Sequence, residues 1–206
     1  MKKISFLIIT VLLISLATAC ATGAMARASL PNRANAEAAD APEISRAYSN
    51  YLYGLLELHA KNYDGAIESF KRALEIDPDA ARIHVHLSRA YLGKGMAEMS
   101  IIEALRAINL DPDEYSAHML LGALYTHQGR YDEAGEHFQE VLRIKPNDIT
   151  ALTSVAEIYE SRKDFSNLIE IYRQIIKIRP DLEWPRGKLA LAYVKVGLLD
   201  RAIEEL

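Results

Sequence analysis

Residues 115–148 read YSAHMLLGALYTHQGRYDEAGEHFQEVLRIKPND, and this stretch decides the fold. Apolar residues recur at helical spacing from Tyr115 to about Gln128. Gly129 follows, where a helix end calls for a left-handed residue. A second amphipathic run starts near Tyr131 or Asp132 and stops before Pro146. Proline fixes φ and lacks a backbone donor, so it closes that helix. The same proline recurs at Pro78, Pro112, Pro146 and Pro180, each 34 residues after the last. A 34-residue unit of two helices and a turn predicts a stack of helix pairs.

The register extends outward from there. Repeats run 47–80, 81–114, 115–148 and 149–182, and a fifth, incomplete one covers 183–206. Gly95 and Gly197 stand where Gly129 stands. Asp79, Asp113, Asp148 and Asp181 fall where the first helix of the next repeat needs a cap for its free N–H groups.

Specific residue types recur as well. Position 8 holds Gly54, Ser88, Gly122, Ala156 and Ala190, and position 20 holds Ala66, Ser100, Ala134, Leu168 and Ala202. Position 11 holds Tyr91, Tyr125, Tyr159 and Tyr193, with Glu57 departing in repeat one. Position 24 holds Phe70, Ala104, Phe138, Tyr172 and Leu206. This pattern resembles the tetratricopeptide repeat family over residues 47–206. The resemblance implies an all-α, right-handed superhelical solenoid of antiparallel helix pairs. It implies that helices A and B approach most closely at positions 8 and 20, with aromatics between them. Seven of the eleven tyrosines are then packing residues, including Tyr63 and Tyr131 at position 17.

The resemblance also implies a concave groove lined by positions 2, 5, 9, 12 and 13 of the A helices. In this chain the groove residues are Tyr48, Tyr51, Leu55 and His59, then Arg82, Val85 and Arg89 with His86 nearby. Met119, Thr126 and His127 follow, then Glu157 and Glu160. A protein or peptide segment is the expected ligand, with an acidic group on Arg82 and Arg89 and apolar residues on Tyr48, Tyr51 and Leu55. The alternative is that both arginines pair with glutamates of neighbouring helices. Family members that clamp a chaperone's terminal carboxylate place lysine and asparagine at positions 5 and 9 of the first repeat. Tyr51 and Leu55 occupy those places, so this chain is not expected to be such a clamp.

Composition narrows the function classes. The 206 residues are half hydrophobic and a quarter charged, with a net charge of −4, so no general footprint for nucleic acid is present. His84 and His86 point to different faces of one helix, and His118 and His127 lie nine apart. No metal-ligand spacing, phosphate loop or nucleophile elbow occurs. No metal, cofactor or catalytic activity is expected, and pairs such as Asp132-Glu133 and Glu204-Glu205 read as solvated helix faces.

The N-terminus carries the address. Met1-Lys2-Lys3 precedes the apolar run Ile4–Ala19, which is short for a membrane span and fits an export signal over 1–19. The run ends Leu16-Ala17-Thr18-Ala19-Cys20, and Cys20 is the only cysteine. This resembles the bacterial lipoprotein signal, which implies lipidation of Cys20, and Ala21 then implies outer-membrane sorting toward the periplasm. Ala17-Thr18-Ala19 is also an ordinary cleavage site, which gives a soluble periplasmic protein as the second reading. Residues 20–42 are alanine-rich with Pro31 and Pro42 and read as the lipidated cysteine and a flexible tether, with a frayed helix around Ala34–Asp40 as the alternative.

Residue 206 falls at position 24 of repeat five, before the helix pair closes, so further repeats or another domain are expected to follow. Three functions suit this organisation. The first is a non-enzymatic scaffold for an envelope assembly. The second is the regulatory or substrate-binding front of a larger enzyme. The third is self-association through the open C-terminal face.

Overall fold

The structure is a computed structural model that describes residues 33–206, with side chains from residue 42 onward. The signal segment, Cys20 and the tether up to residue 32 lie outside the described residues. Residues Asp40–Leu206 form one compact unit, and the description below concerns it.

The helices are α1 (Arg33–His59), α2 (Tyr63–Leu74), α3 (Ala81–Gly93), α4 (Ala97–Leu110) and α5 (Tyr115–His127). They continue with α6 (Tyr131–Ile144), α7 (Ile149–Ser161), α8 (Phe165–Ile178), α9 (Trp184–Lys195) and α10 (Leu199–Glu204). From α2 onward each helix packs on the next in the chain, and α5 also touches α7. The result is an all-α, right-handed superhelical solenoid of antiparallel pairs. Odd-numbered helices are the A helices and even-numbered ones the B helices.

One boundary differs from the sequence expectation. Residues 33–42, expected as the end of a coiled tether with a frayed helix as the alternative, are helical, and Pro42 lies inside α1. The reason is composition: five alanines between positions 34 and 41 carry the highest helix propensity of any residue.

The A-to-B turns follow the glycine reading. Gly95, Gly129 and Gly197 have φ of +82°, +73° and +79°. Lys61 and Lys163 occupy the same position in repeats one and four and also adopt positive φ, 60° and 58°. Each side chain there costs about 1–2 kcal/mol, which the packed helices on either side sustain.

The N-caps need a correction. Of the four aspartates expected to cap, only Asp148 does so, accepting from Ala151 N at 2.9 Å. The cap position is two residues after Pro78, Pro112 and Pro146 and three after Pro180, while Asp79, Asp113 and Asp181 stand only one residue after theirs. Ala80 therefore sits at the α3 cap with no side-chain bond, and Glu114 caps α5 through Ser116 N at 3.1 Å. Glu183 precedes α9 without a side-chain bond. Asp113 and Asp181 instead pair with Arg143 and Arg179. Ala80→Asp should stabilise the protein by about 1 kcal/mol, read as a higher urea midpoint at unchanged slope.

Small residues and aromatics interlock. Phe70 and Phe138 are 0% and 1% exposed. A Cβ placed on Gly54 would lie 2.5 Å from Phe70, and one on Gly122 would lie 2.7 Å from Phe138. Position 8 is small because the aromatic at position 24 rests on it. Repeat two solves the same contact differently. Ala104 is small, and Ser88 and Ser100 are both fully buried, with Ser88 Oγ donating to the Ser100 carbonyl at 2.6 Å. Leu168 is accommodated in repeat four within a cluster that includes Ala156, Tyr172 and Leu189.

Candidate functional site

Each A helix buries one side against its B helix and the next repeat. The opposite side is an exposed strip that repeats at the same positions. In α3 it contains Arg82, Arg89 and Leu92; in α5, Ala123 and His127; in α7, Thr150, Glu157 and Glu160. In α1 it contains Tyr48 and His59, with Tyr51 and Leu55 half-buried beside them. Met119 and Thr126 are half-buried in the same strip, and the Thr126 hydroxyl donates to Gly122 O of its own helix at 2.8 Å.

Val85 does not belong to the strip. It is 2% exposed and packs with Ala107 and Ala117, because the start of α5 covers position 5 of α3. Sequence reading missed the continuation into α9, where Trp184, Leu191, Val194 and Lys195 are exposed. The same position numbering applied to repeat five would have found them.

The first half of the strip is aromatic and cationic. Ile44, Tyr48, Tyr51, Ile76 and Ile83 line a hollow of about 380 Å³ at the α1 edge. Tyr51 lies 5.6 Å from His86, ring centre to ring centre, and Phe70 stacks on His86 at 5.9 Å. His86 Nδ1 is buried without a hydrogen-bond partner. Burial, with Arg89 and Arg82 adding to it, pushes the His86 pKa down to about 4. The ring is therefore neutral at physiological pH, and the cationic groups on this face are Arg82 and Arg89. Among the described residues neither arginine has a carboxylate within ion-pair distance. Both are exposed.

In the second half, α7 is acidic, with Lys188 and Lys195 of α9 beside it. Glu157 and Glu160 lie on one face of α7, three residues apart and exposed. Burial, followed by Glu160 and Glu157, pushes the Tyr172 hydroxyl up to about 12. Lys188 reaches Glu160 at 3.8 Å.

Two histidines left open by the sequence lie instead in buried polar junctions between repeats. His84 Nδ1 meets Glu103 Oε2 at 2.7 Å, and its Nε2 meets the Pro78 carbonyl at 3.1 Å. Both partners are acceptors, so both ring nitrogens donate, and the Glu103 bond raises the His84 pKa. Arg106 donates to the other oxygen of Glu103 at 2.8 Å. One repeat later, His118 Nε2 meets the Pro112 carbonyl at 3.0 Å, and its Nδ1 faces His137 Nδ1 at 3.1 Å. The facing nitrogens hold one proton between them, since two N–H groups cannot point at each other. In both cases the partners are 19 residues apart, a separation that becomes contact only when helices A and B pair. No group of three or more His, Cys, Asp or Glu able to hold a metal occurs among the described residues.

The His137 pair gives a pH prediction. Burial, and then the charge of His118, lower the His137 pKa to about 4, with Glu140 opposing. A lowered histidine stabilises the fold above its ordinary value near 6.5, and that contribution is lost as pH falls toward about 4. The half-buried ring is partly screened, so the loss should be about 1–2 kcal/mol. His137→Asn, whose side-chain N–H can still face His118, should flatten the decline in urea stability between pH 6.5 and 4.

Comparisons place this geometry. No curated protein matches the sequence. Solved structures do match, at identities that speak to fold alone. A crystal structure of MamA protein shares 22% identity over 78% of this chain and 87% of that chain, with a TM-score of 0.70. MamA from Desulfovibrio magneticus RS-1 shares 16% identity, with coverage of 78% and 90% and a TM-score of 0.68. A chain in the structure of Naa15/Naa10 bound to HypK-THB shares 19% identity over 78% of this chain and 24% of that one, with a TM-score of 0.64. Three family models described as tetratricopeptide repeat match residues 81–114, 115–148 and 151–183, and a fourth described as TPR repeat matches 54–95. These segments together cover more than half of the sequence, and those at 81–114 and 115–148 coincide with the helix pairs α3–α4 and α5–α6. The chain belongs to the tetratricopeptide repeat family, and it is a repeat scaffold of the protein-interaction type.

Proposed function

We propose that the exposed strip of the A helices holds a protein or peptide segment, and that the protein is a non-enzymatic scaffold of the bacterial cell envelope. The observation that carries the groove reading is the pair Arg82 and Arg89. They share an exposed helix face, and among the described residues neither is neutralised by a carboxylate. An unpaired guanidinium pair beside the Tyr48–Tyr51 hollow favours an acidic group followed by apolar residues, because guanidinium–carboxylate bonds are charge-assisted and bidentate. The ligand's apolar residues would pack on Tyr48, Tyr51 and Leu55. The envelope reading rests on residues 1–20: an export signal, lipidation at Cys20, and an outer-membrane position facing the periplasm.

Crosslinked co-purification from native envelopes tests both parts. The wild type should retain a defined partner in the membrane fraction. Arg82→Glu/Arg89→Glu should stay folded and lose most of the partner, and Cys20→Ala should leave the membrane fraction. Undiminished partner capture by the folded double variant would overturn the groove reading, and membrane retention of Cys20→Ala would overturn the anchor.

A further inference from the structure

Within the strip, α3 and α7 carry opposite charge. Arg82 and Arg89 on α3 are cationic, while Glu157 and Glu160 on α7 are anionic. Between them α5 presents small or neutral groups: Ala123 exposed, Met119 half-buried, and Thr126 with its hydroxyl turned back onto Gly122 O. The cationic side has no local counter-charge: the arginines have no carboxylate partner among the described residues. On the anionic side Glu160 lines a hollow with Lys188 and Lys195. Glu157 has no ion pair among the described residues, and the Glu160–Lys188 contact is long, at 3.8 Å between half-exposed groups, so it is weak.

We infer that the groove selects a polypeptide segment of fixed polarity, with an acidic residue on Arg82 and Arg89 and a basic residue on Glu157 and Glu160. This rests on the groove reading above and adds the register of the ligand. Helices A of repeats two and four are separated by two helix spacings, and α5 bridges them by touching α7. At 8–10 Å per spacing the two charged pairs lie about 16–20 Å apart. An extended chain covers that distance in about five or six residues. A uniformly anionic polymer, such as a nucleic acid, gains at the arginines and is repelled at the glutamates. A uniformly basic segment meets the reverse. Only a segment carrying both signs at this separation is attracted at both helices, because charge juxtaposition sets register and rejects wrong partners.

Selection from a displayed random dodecapeptide library tests this on the wild type, Arg82→Glu/Arg89→Glu and Glu157→Lys/Glu160→Lys. All four substituted positions are exposed, so folding should survive, and circular dichroism verifies it. Wild-type ligands should carry an acidic and a basic residue about five or six positions apart. A synthetic peptide of that pattern should bind roughly tenfold tighter than its all-acidic or all-basic counterpart, and each double variant should lose about that factor. Enrichment of acidic peptides that Arg82→Glu/Arg89→Glu abolishes but Glu157→Lys/Glu160→Lys leaves unchanged would overturn the polarity and leave the groove standing. Enrichment unaffected by Arg82→Glu/Arg89→Glu, or none at all, would overturn both.

Discussion

Phe138→Ala should destabilise the protein by about 3–5 kcal/mol, the largest packing effect of any single side chain described. Phe138 is 1% exposed and rests directly on Gly122, whose missing Cβ makes room for its ring. Truncation removes the ring's dispersion contacts and leaves a void that glycine cannot fill. Backbone collapse is limited because α5 and α6 are held on both sides by neighbouring helices. In a repeat array the loss acts through nearest-neighbour contacts, so repeats two and four lose their shared support as well. Urea unfolding measures it, and a change below about 1 kcal/mol would contradict the packing described here.

Glu103→Ala should also destabilise the protein, by another route. Glu103 is 3% exposed and accepts from both His84 and Arg106. Its removal takes away the acceptor of the buried His84 ring and leaves that donor unpaired, which costs about 1–3 kcal/mol. Glu103→Gln, which keeps an acceptor, should cost less. The sign with pH distinguishes this from loss of packing. A histidine with raised pKa contributes stability fully below its ordinary value near 6.5 and loses it as pH rises through the raised value. The Glu103→Ala deficit should therefore be larger at pH 6 than at pH 9, whereas a cavity would cost the same at both.

These two residues also mark what the sequence makes legible. Phe138 follows from the family resemblance, which places an aromatic at position 24 against the small residue at position 8, as Phe70 and Phe138 show. The glycine turns were equally visible, because a left-handed residue leaves a compositional trace. Glu103 was invisible: nothing local tells a carboxylate at position 23 that its partner is 19 residues back across a helix pair. The caps failed for a smaller reason. One residue separates Asp79 from the cap position at Ala80, and aspartate is common in both places of a turn. Val85 failed because position 5 is open or closed depending on how the next repeat begins, and here Ala117 covers it. Arg82, Arg89, Glu157 and Glu160 are exposed on the A helices at positions the family resemblance assigns to its groove. What each of them meets is a tertiary matter that spacing does not encode.

The measurement closest to the central claim is site-specific photo-crosslinking in the native envelope. A photoreactive side chain replaces Arg89 or Thr126 in the strip, or Leu105 or Gln139 on the B helices. Leu105 and Gln139 are exposed as Arg89 is, and so serve as controls. Partner crosslinks should form from positions 89 and 126 and be absent or minor at 105 and 139. Crosslinks concentrated at 105 and 139, with none from the strip, would contradict a groove formed by the A helices.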